Sequence, residues 1–390
     1  MKNGYKFIRE TTINMKKILI LEGKESIGGG QIITKKICDI LSKEYNVSVF
    51  IPGNNTNDIS NLLKNYKQFH YKLKPYTRGE KVFKDYLRLI YNTYVTYKKL
   101  NKILQEGKYD LIYVQHQNIL PVLIIANWAL KIKTISHLHV IYTNKKTAIL
   151  IDRLLRAKWI NIIIGVSNYT ISQLTSKNKE KSYVLYNPIQ PIANILKSCG
   201  NTNPNIAIIG DITEDKGHHI LFEAIKSLSM STNYHIHVIG NIVDKAYYEK
   251  LLKYNLTVHF TGFITNVSEY LKINHINITV IPSISPFETF SLSMTESWAL
   301  GIPTIATNDF GMKELVETFM PDYKNDMLFN LGDINELAIK IENLCNNPIL
   351  YNTISKICYQ TIEESLNPRI FEHKLLEKVH QAMVNNYICK

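Results

Sequence analysis

Two glutamates, Glu288 and Glu296, lie in the stretch PFETFSLSMTESWALGIP (286–303) with seven residues between them. If the whole segment is helical, this spacing places both carboxylates near one face. If Glu288 instead precedes the helix, the free N–H groups of the helix start lie beside it and can bind phosphate. That arrangement would suit a sugar nucleotide. On spacing alone, an amphipathic helix with two solvated glutamates is the simpler explanation.

Two glycine-containing loops are further candidates for ligand contact. Residues 28–30 are consecutive glycines after a short apolar run, and the loop 210–217 ends in Lys216-Gly217. Glycines let the backbone approach a ligand closely. The first loop lacks the G-x-G-x-x-G spacing of dinucleotide-binding proteins, so it does not indicate NAD. A plain tight turn remains the alternative for it.

Histidines lie at the end of one predicted strand. Within 134–140, His137 and His139 alternate at period two and point to the same face. Parallel sheets bind ligands at the carboxyl ends of their strands, which favours a functional His139. A hydrogen-bonded core histidine is an equal alternative for His139 and the preferred one for His137 and His116. Carboxylates at metal-ligand spacing are missing, so we predict no metal site.

Strand and helix patterns alternate through both halves of the chain, and helical patterns separate the short apolar runs typical of buried strands. The sequence therefore predicts an α/β protein with two Rossmann-like, doubly wound parallel-sheet domains that face a central cleft. The predicted strands are 16–21, 47–51, 111–114, 134–140, 160–166 and 183–186, then 206–209, 235–239, 258–260, 278–281 and 303–307.

The domain boundaries follow from a polar stretch with prolines and a glycine before residue 205. We expect a dispensable N-terminal extension (1–14), a first domain (15–190), a linker (191–204), a second domain (205–366) and a C-terminal helix (367–390) that packs back on the first domain.

The composition is typical of a cytoplasmic globular protein. The 390 residues are 45% hydrophobic and 20% charged, which suits two domains with cores of ordinary size. No apolar run approaches the ~20 residues that cross a bilayer, and residues 1–14 lack the apolar block of a signal peptide. The five cysteines are scattered, which favours reduced thiols over a zinc site or a disulfide framework.

The net charge of +13 is concentrated in one region. Residues 64–102 contain eleven lysines and arginines against Glu80 and Asp85, with tyrosines interleaved. Basic residues mixed with aromatic ones suit an anionic membrane surface or nucleic acid. No nucleic-acid-binding motif accompanies them, so a membrane is favoured. A solvated lysine-rich face is the alternative.

In their order along the chain, these motifs resemble family 4 of the glycosyltransferases, which have the two-Rossmann-domain GT-B fold. The resemblance spans approximately residues 16–385, and its most specific part is the two-glutamate stretch. The residues that carry it are Gly28-Gly29-Gly30, His139, Gly165-Val166-Ser167, Tyr186-Asn187-Pro188-Ile189, Gly210 to Gly217, Phe260-Thr261-Gly262, Pro282-Ser283, Pro286-Phe287-Glu288, Glu296 and Ala299-Leu300-Gly301-Ile302-Pro303.

The resemblance implies a retaining transfer from a nucleotide-diphosphate sugar without an essential metal. In the catalytic set it implies, Glu288 hydrogen-bonds the hydroxyls of the donor sugar, Lys216 neutralises the leaving phosphate, and His139 faces the sugar near the reacting carbon. We expect no cofactor besides the donor, which we expect to be UDP-linked.

The resemblance also implies that the first domain binds the acceptor and the second the donor. Glu296 would hold the ribose, because two carboxylate oxygens can accept from a cis-diol. Gly30 would approach the phosphate from the first domain, and the backbone N–H groups from Thr289 to Leu292 would meet the diphosphate. The expected donor-binding set is Gly29, Gly30, Gly210, Lys216, Gly262, Glu288, Thr289, Phe290, Ser291, Leu292 and Glu296.

One position departs from the family's pattern. The family usually has an arginine directly after the glycine of the Gly210 motif, and this chain has Asp211. A carboxylate there would repel phosphate. Either another cation such as Lys313 substitutes for the arginine, or activity is reduced, or the protein is an inactive partner.

We therefore expect a glycosyltransferase of the hexosyltransferase class that extends a glycan or lipid-linked acceptor in cell-surface polysaccharide synthesis. It would work in the cytoplasm, peripherally on the inner face of the membrane, through the basic region 64–102. The alternatives are a non-catalytic partner subunit and a sugar-nucleotide 2-epimerase.

Overall fold

The computed structural model describes residues 15–25, 27–53, 58–72, 74, 83–192, 203–228 and 233–384. The predicted N-terminal extension (1–14), most of the predicted linker (193–202) and a part of the basic region (73 and 75–82) lie outside the described residues.

The first half of the chain forms a seven-stranded parallel sheet in the order β3-β2-β1-β4-β5-β6-β7. Its strands are β1 (Lys17–Leu21), β2 (Asn46–Pro52), β3 (Lys67–Tyr71), β4 (Leu111–Val114), β5 (Thr134–Leu138), β6 (Ile160–Gly165) and β7 (Ser182–Val184). The helices are α1 (Gly29–Leu41), α2 (Asp58–Leu62), α3 (Phe83–Gly107), α4 (Leu120–Ala126), α5 (Lys145–Leu155), α6 (Asn168–Ser172) and α7 (Ser176–Lys179).

The second half forms a six-stranded parallel sheet in the order β10-β9-β8-β11-β12-β13. Its strands are β8 (Asn205–Ile209), β9 (His235–Ile239), β10 (Val258–Gly262), β11 (Ile278–Ile281), β12 (Thr304–Thr307) and β13 (Leu328–Phe329). The helices are α8 (His218–Ser227), α9 (Lys245–Leu251), α10 (Val267–Ile273), α11 (Leu292–Trp298), α12 (Phe310–Phe319), α13 (Lys324–Met327), α14 (Ile334–Asn346), α15 (Pro348–Glu364) and α16 (Pro368–Val384).

Both sheets reverse their winding direction at a central strand. β1 lies between β2 and β4, and β8 lies between β9 and β11. After their first residue, these strands are apolar because a parallel sheet is covered on both faces, as the complete burial of Ile18, Leu19 and Ile20 illustrates. The carboxyl ends of such strands are where open α/β sheets bind ligands. The predicted pair of doubly wound parallel sheets is confirmed.

The apolar patterns do not predict β3 or β13. β3, with the sequence KQFHY, is an edge strand with only one buried residue, and β13 has two residues. Both lack the continuous apolar run by which a central parallel strand is recognised.

The described chain divides into two compact units. Unit 1 comprises residues 15–136, 157–161 and 380–384, and unit 2 comprises 137–156 and 162–379. Within unit 1, His380 in the last turn of α16 lies 3.0 Å from the carboxylate of Glu44. The predicted domain boundaries, and the return of the last helix to the first domain, stay predictions.

α3 is 25 residues long. Neither it nor any other helix among the described residues is long and apolar enough to cross a membrane.

Candidate functional site

The loop after β11 places Glu288 outside the helix that follows. The chain leaves β11 at Ile281, and α11 begins only at Leu292. Ser291 caps α11 by accepting a hydrogen bond from the Met294 N–H at 3.4 Å. Of the two arrangements compatible with the glutamate spacing, the structure has the one with Glu288 in the loop and Glu296 in the helix.

The buried residues of α11 explain the direction of Glu296. Met294 and Trp298, four residues apart, are completely buried in the core of the six-stranded sheet. Glu296 lies between them in sequence and is only partly buried. Its predicted contact with a ribose stays a prediction.

The loop 210–217 is bound to the loop after β11. Gly217 has a φ of +73°, and a Cβ there would lie 2.0 Å from the Pro282 carbonyl oxygen, so a glycine is required. The Asp215 carbonyl accepts hydrogen bonds from the Ile284 N–H at 2.9 Å and from the Ser283 hydroxyl at 3.1 Å. These contacts carry Lys216 to the loop that holds Glu288.

Lys216 and Glu288 form an ion pair between Nζ and Oε1. Their side chains are 31% and 15% exposed, so the pair is reachable from solvent but partly shielded by protein. The structure therefore brings together two of the three predicted catalytic residues. A phosphate that binds Lys216 would have to compete with the Glu288 carboxylate.

Glycines line the carboxyl edge of the sheet beside this pair. The Gly240 N–H donates to the Gly262 carbonyl at 3.0 Å, and a Cβ on Gly240 would lie 2.0 Å from the Gly210 carbonyl oxygen. Gly262 has a φ of +70° and open space where a side chain would begin. Gly210 and Gly262, both predicted to bind the donor, are thus partly buried and place no side chain at this edge.

His139 is connected to the same loop through its backbone. The Thr289 hydroxyl donates to the His139 carbonyl oxygen at 2.6 Å. The ring of His139 lies against that of His137, with centroids 4.3 Å apart. Burial, together with the neighbouring His139, lowers the pKa of the buried His137 well below its usual value. His137 is therefore neutral at neutral pH and packs against His139.

The start of α11 differs from the prediction at one N–H group. The Thr289 N–H donates to the Phe287 carbonyl at 2.8 Å, so it is not available to a diphosphate in this conformation. This bond closes a tight turn that directs the chain from Phe287 toward α11. The predicted diphosphate contacts of Phe290, Ser291 and Leu292 stay predictions.

Asp211 has a local partner instead of a phosphate-binding role. Its carboxylate accepts hydrogen bonds from the backbone N–H and the side-chain amide of Asn241, at 3.3 and 3.4 Å. It therefore connects the loops after β8 and β9. Lys313, the suggested replacement for the missing arginine, lies 4.0 Å from Glu317 on α12, and its role at a phosphate stays a prediction.

The glycine loop of unit 1 is held by a buried carboxylate. Glu22, at the end of β1, accepts from the N–H groups of Gly23 and Lys24 at 2.8 and 3.1 Å and from the Thr34 hydroxyl at 2.8 Å. α1 begins at Gly29, and the position of a Cβ on Gly30 is open space. Both predicted glycines thus lie at a helix start, where N–H groups can bind an anion.

Glu314 on α12 is a site residue that the sequence motifs did not indicate. Its carboxylate accepts from the N–H groups of Asn168 and Tyr169 at 2.6 and 2.7 Å, at the start of α6. It also accepts from the Tyr186 hydroxyl at 2.9 Å. Burial, together with the Glu314 charge, raises the pKa of Tyr186, so the hydroxyl stays a donor at neutral pH.

The two helices joined by Glu314 both hold the backbone around Glu288. The Gly311 N–H on α12 donates to the Glu288 carbonyl at 2.8 Å, and the Tyr169 hydroxyl on α6 donates to the Pro286 carbonyl at 3.2 Å. A Cβ on Gly311 would lie 2.3 Å from a carbonyl oxygen of this loop. The one sequence signal for Glu314 is its place three residues after Gly311.

Within the ranges that the structure describes, no three histidine, cysteine, aspartate or glutamate side chains are grouped so that they could hold a metal ion.

Two family models match the sequence. The model described as Glycosyltransferase Family 4 matches residues 27–191, and the model described as Glycosyl transferases group 1 matches residues 197–361. No curated protein sequence matches the chain.

Three solved structures illustrate proteins of similar fold. Anabaena HepE in complex with UDP and glucose has 19% identity and a TM-score of 0.73, over 94% of this chain and 99% of that one. The lipopolysaccharide outer core galactosyltransferase WaaB has 16% identity and a TM-score of 0.71, over 94% and 99%. Sucrose-phosphate synthase of Thermosynechococcus elongatus has 17% identity and a TM-score of 0.72, over 94% and 98%. At these identities the likeness concerns the fold.

Proposed function

The chain belongs to glycosyltransferase family 4, and from that premise we propose that it is a retaining glycosyltransferase whose donor site lies around Lys216 and Glu288. The observation that carries the proposal is the meeting of three elements in unit 2. The loop 210–217 delivers Lys216, the loop before α11 delivers Glu288, and Thr289 holds the backbone of His139 beside them.

The donor we propose is a UDP-linked sugar. Structures of the similar Anabaena HepE contain UDP and UDP-glucose, and Glu296 on α11 has the carboxylate that a ribose diol requires. The start of α11 and the glycine-lined edge at Gly210 and Gly262 would meet the diphosphate through backbone groups. No step of the proposal needs a metal.

The chemistry requires charge stabilisation at the leaving group more than a strong acid. As the bond from the sugar to the diphosphate breaks, negative charge grows on the phosphate oxygens, and Lys216 would neutralise it. The diphosphate would then take the place of Glu288 on Lys216, which leaves the Glu288 carboxylate for the sugar hydroxyls. His139 would lie near the reacting carbon, and a water-excluding site would prevent hydrolysis of the donor.

The acceptor we propose is a glycan or a lipid-linked glycan of the cell surface. Two proteins of similar fold support this class, since one is named a lipopolysaccharide outer core galactosyltransferase and another a glycosyltransferase involved in lipopolysaccharide biosynthesis. The basic region 64–102 would bring the enzyme to the anionic inner face of the membrane.

A non-catalytic partner subunit is the second candidate, because Asp211 stands where the family has an arginine. A sugar-nucleotide 2-epimerase is the third, and it would consume its substrate without any acceptor. Binding and acceptor dependence separate the three: the proposed enzyme binds donor and needs an acceptor, the subunit does not bind, and the epimerase needs no acceptor.

A thermal-shift screen of sugar nucleotides tests the donor assignment. A ligand that binds only the folded state raises the melting temperature by mass action. We expect UDP-sugars to raise it and GDP- and ADP-sugars at equal concentration to raise it less. If no sugar nucleotide changes the melting temperature, the donor site assigned here is wrong.

A further inference from the structure

The outer face of α3 carries apolar side chains where a helix of a globular protein usually carries polar ones. Leu87, Ile90, Tyr91 and Tyr94 are 54, 67, 45 and 61% exposed. Their spacing of three, four and seven residues from Leu87 places all four on one face of the helix. We call these four residues the α3 strip.

Two polar side chains on the opposite face of α3 are buried. Asn92 and Thr96 are 3 and 4% exposed. The Asn92 amide accepts from the backbone N–H of Lys74 at 2.8 Å and donates to its carbonyl at 3.0 Å, so this side chain holds a neighbouring segment of unit 1. Two polar side chains of these turns thus lie inward while four apolar ones lie outward. Packing among the described residues of unit 1 does not explain the α3 strip.

Basic side chains flank the α3 strip. At 100° per residue, Lys84, Lys98 and Lys102 lie within about 60° of Leu87 around the helix axis, and all three are exposed. The Lys74 ammonium lies 3.9 Å from the centroid of the Tyr91 ring. Apolar and aromatic residues bordered by lysines are typical of helices that lie in the interface of an anionic bilayer, where long lysine side chains reach the headgroups.

We propose that the α3 strip inserts into the headgroup region of an anionic phospholipid membrane, with α3 parallel to the surface. The inference rests on the proposed function, whose membrane contact it makes specific: the contact is apolar insertion assisted by charge, not charge alone. A second copy of the chain fits the strip less well, because an isologous pairing would place the flanking lysines of both copies against each other.

Cosedimentation of the full-length protein with lipid vesicles tests this inference. The vesicles contain phosphatidylcholine alone or equal parts of phosphatidylcholine and phosphatidylglycerol. The test variant is Leu87→Gln/Ile90→Gln/Tyr94→Gln, because glutamine preserves helix propensity while it removes the apolar surface. The matched control is Ile349→Gln, since Ile349 is 81% exposed but lies on α15 of unit 2.

We expect the wild type and the control variant to bind the anionic vesicles, and the α3 strip variant to bind about tenfold more weakly or less. Added salt should weaken the binding of the wild type and abolish that of the variant, which retains only screened charges. Equal binding of the α3 strip variant and the wild type, or no binding of the wild type, would overturn the inference. So would a wild-type dimer in sedimentation velocity that the α3 strip variant dissociates, because a second copy would then be the occupant.

Thermal stabilisation by UDP-sugars, measured on the same proteins without vesicles, separates this inference from the proposed function. If stabilisation persists while vesicle binding fails, only the membrane contact is wrong. If stabilisation is missing and the vesicles still bind, the inference stands and the donor site is wrong.

Discussion

At the scale of the residue, Lys216 and Glu288 carry opposite charges that a nucleotide sugar would separate. The diphosphate offers Lys216 several anionic oxygens, and the sugar offers Glu288 hydroxyl donors. On donor binding, Lys216 would therefore exchange the Glu288 carboxylate for phosphate oxygens, and Glu288 would exchange the Lys216 ammonium for sugar hydroxyls. The ion pair observed between them holds the two side chains together.

Substitution of Glu288 by glutamine should strengthen the binding of UDP alone. Glutamine removes the negative charge that competes with phosphate for Lys216, so we expect the dissociation constant to fall about three- to tenfold. Isothermal titration calorimetry measures it. Glu296→Gln is the matched control: because Glu296 is assigned to the ribose, that variant should bind UDP more weakly. Weaker binding by Glu288→Gln would contradict the competition.

At the scale of the element, α6 and α12 position the loop that carries Glu288. Glu314 joins the start of α6 to α12 through three hydrogen bonds of 2.6 to 3.0 Å from Asn168 and Tyr169. From these two helices, Tyr169 and Gly311 then hold the backbone on either side of Glu288. Glu314 is thus a positioning residue that acts through the helices and the loop.

The substitution Glu314→Gln should lower turnover with little effect on UDP binding. The two carboxylate oxygens of Glu314 accept from Asn168, Tyr169 and Tyr186, and glutamine has only one such oxygen. Its NH₂ group would also face an N–H of α6, so the loop around Glu288 should shift. We expect turnover to fall about tenfold or more and the unfolding free energy by about 1–3 kcal/mol. Steady-state kinetics and calorimetry measure both. Glu317→Gln, on the same helix, should behave as wild type; unchanged turnover in Glu314→Gln would refute the positioning role.

The elements of this site differ in how far the sequence predicts them. The loop position of Glu288 was one of two arrangements that the spacing allowed, and only the Ser291 cap and the buried Met294 and Trp298 decide between them. From the sequence, Asp211 is interpreted only as the loss of a phosphate-binding arginine. Its structural partner Asn241 lies 30 residues away, so the sequence does not indicate their hydrogen bond.

Sequence motifs do not indicate Glu314, because its contacts join distant parts of the chain. Its partners Asn168 and Tyr186 are 146 and 128 residues away, and contacts of that range follow from the packing of α6 against α12. The alternating apolar runs, in contrast, predict the two parallel sheets directly. A central parallel strand is buried on both faces, so its sequence is a continuous apolar run.

At the scale of the whole molecule, buried and half-buried histidines couple the stability of unit 2 to pH. Burial lowers the pKa of His218 and of His237 to about 4 in each case, with His259 adding to the effect at His237. The pKa of His137 is lowered in the same direction. The unfolded chain takes up protons at these positions near pH 6.5, the folded chain only at lower pH, so acid favours unfolding.

The melting temperature should therefore fall as the pH is lowered from 7 to 5, and these histidines should add no slope above pH 7. Differential scanning calorimetry at each pH measures it. A His218→Leu variant should show a shallower fall between pH 7 and pH 5 than the wild type, because one depressed histidine is removed. A melting temperature that rises toward pH 5, or an equal slope in the variant, would contradict this coupling.

The molecule as a whole is proposed to release UDP from a UDP-sugar only when it can pass the sugar to an acceptor. The release assay with a glycolipid fraction as acceptor tests this most directly, on the wild type and on Glu288→Ala. We expect acceptor-dependent UDP release by the wild type and a loss of about a hundredfold or more in Glu288→Ala, since a group that binds the reacting sugar is removed. Normal turnover by Glu288→Ala would contradict the account of the donor site.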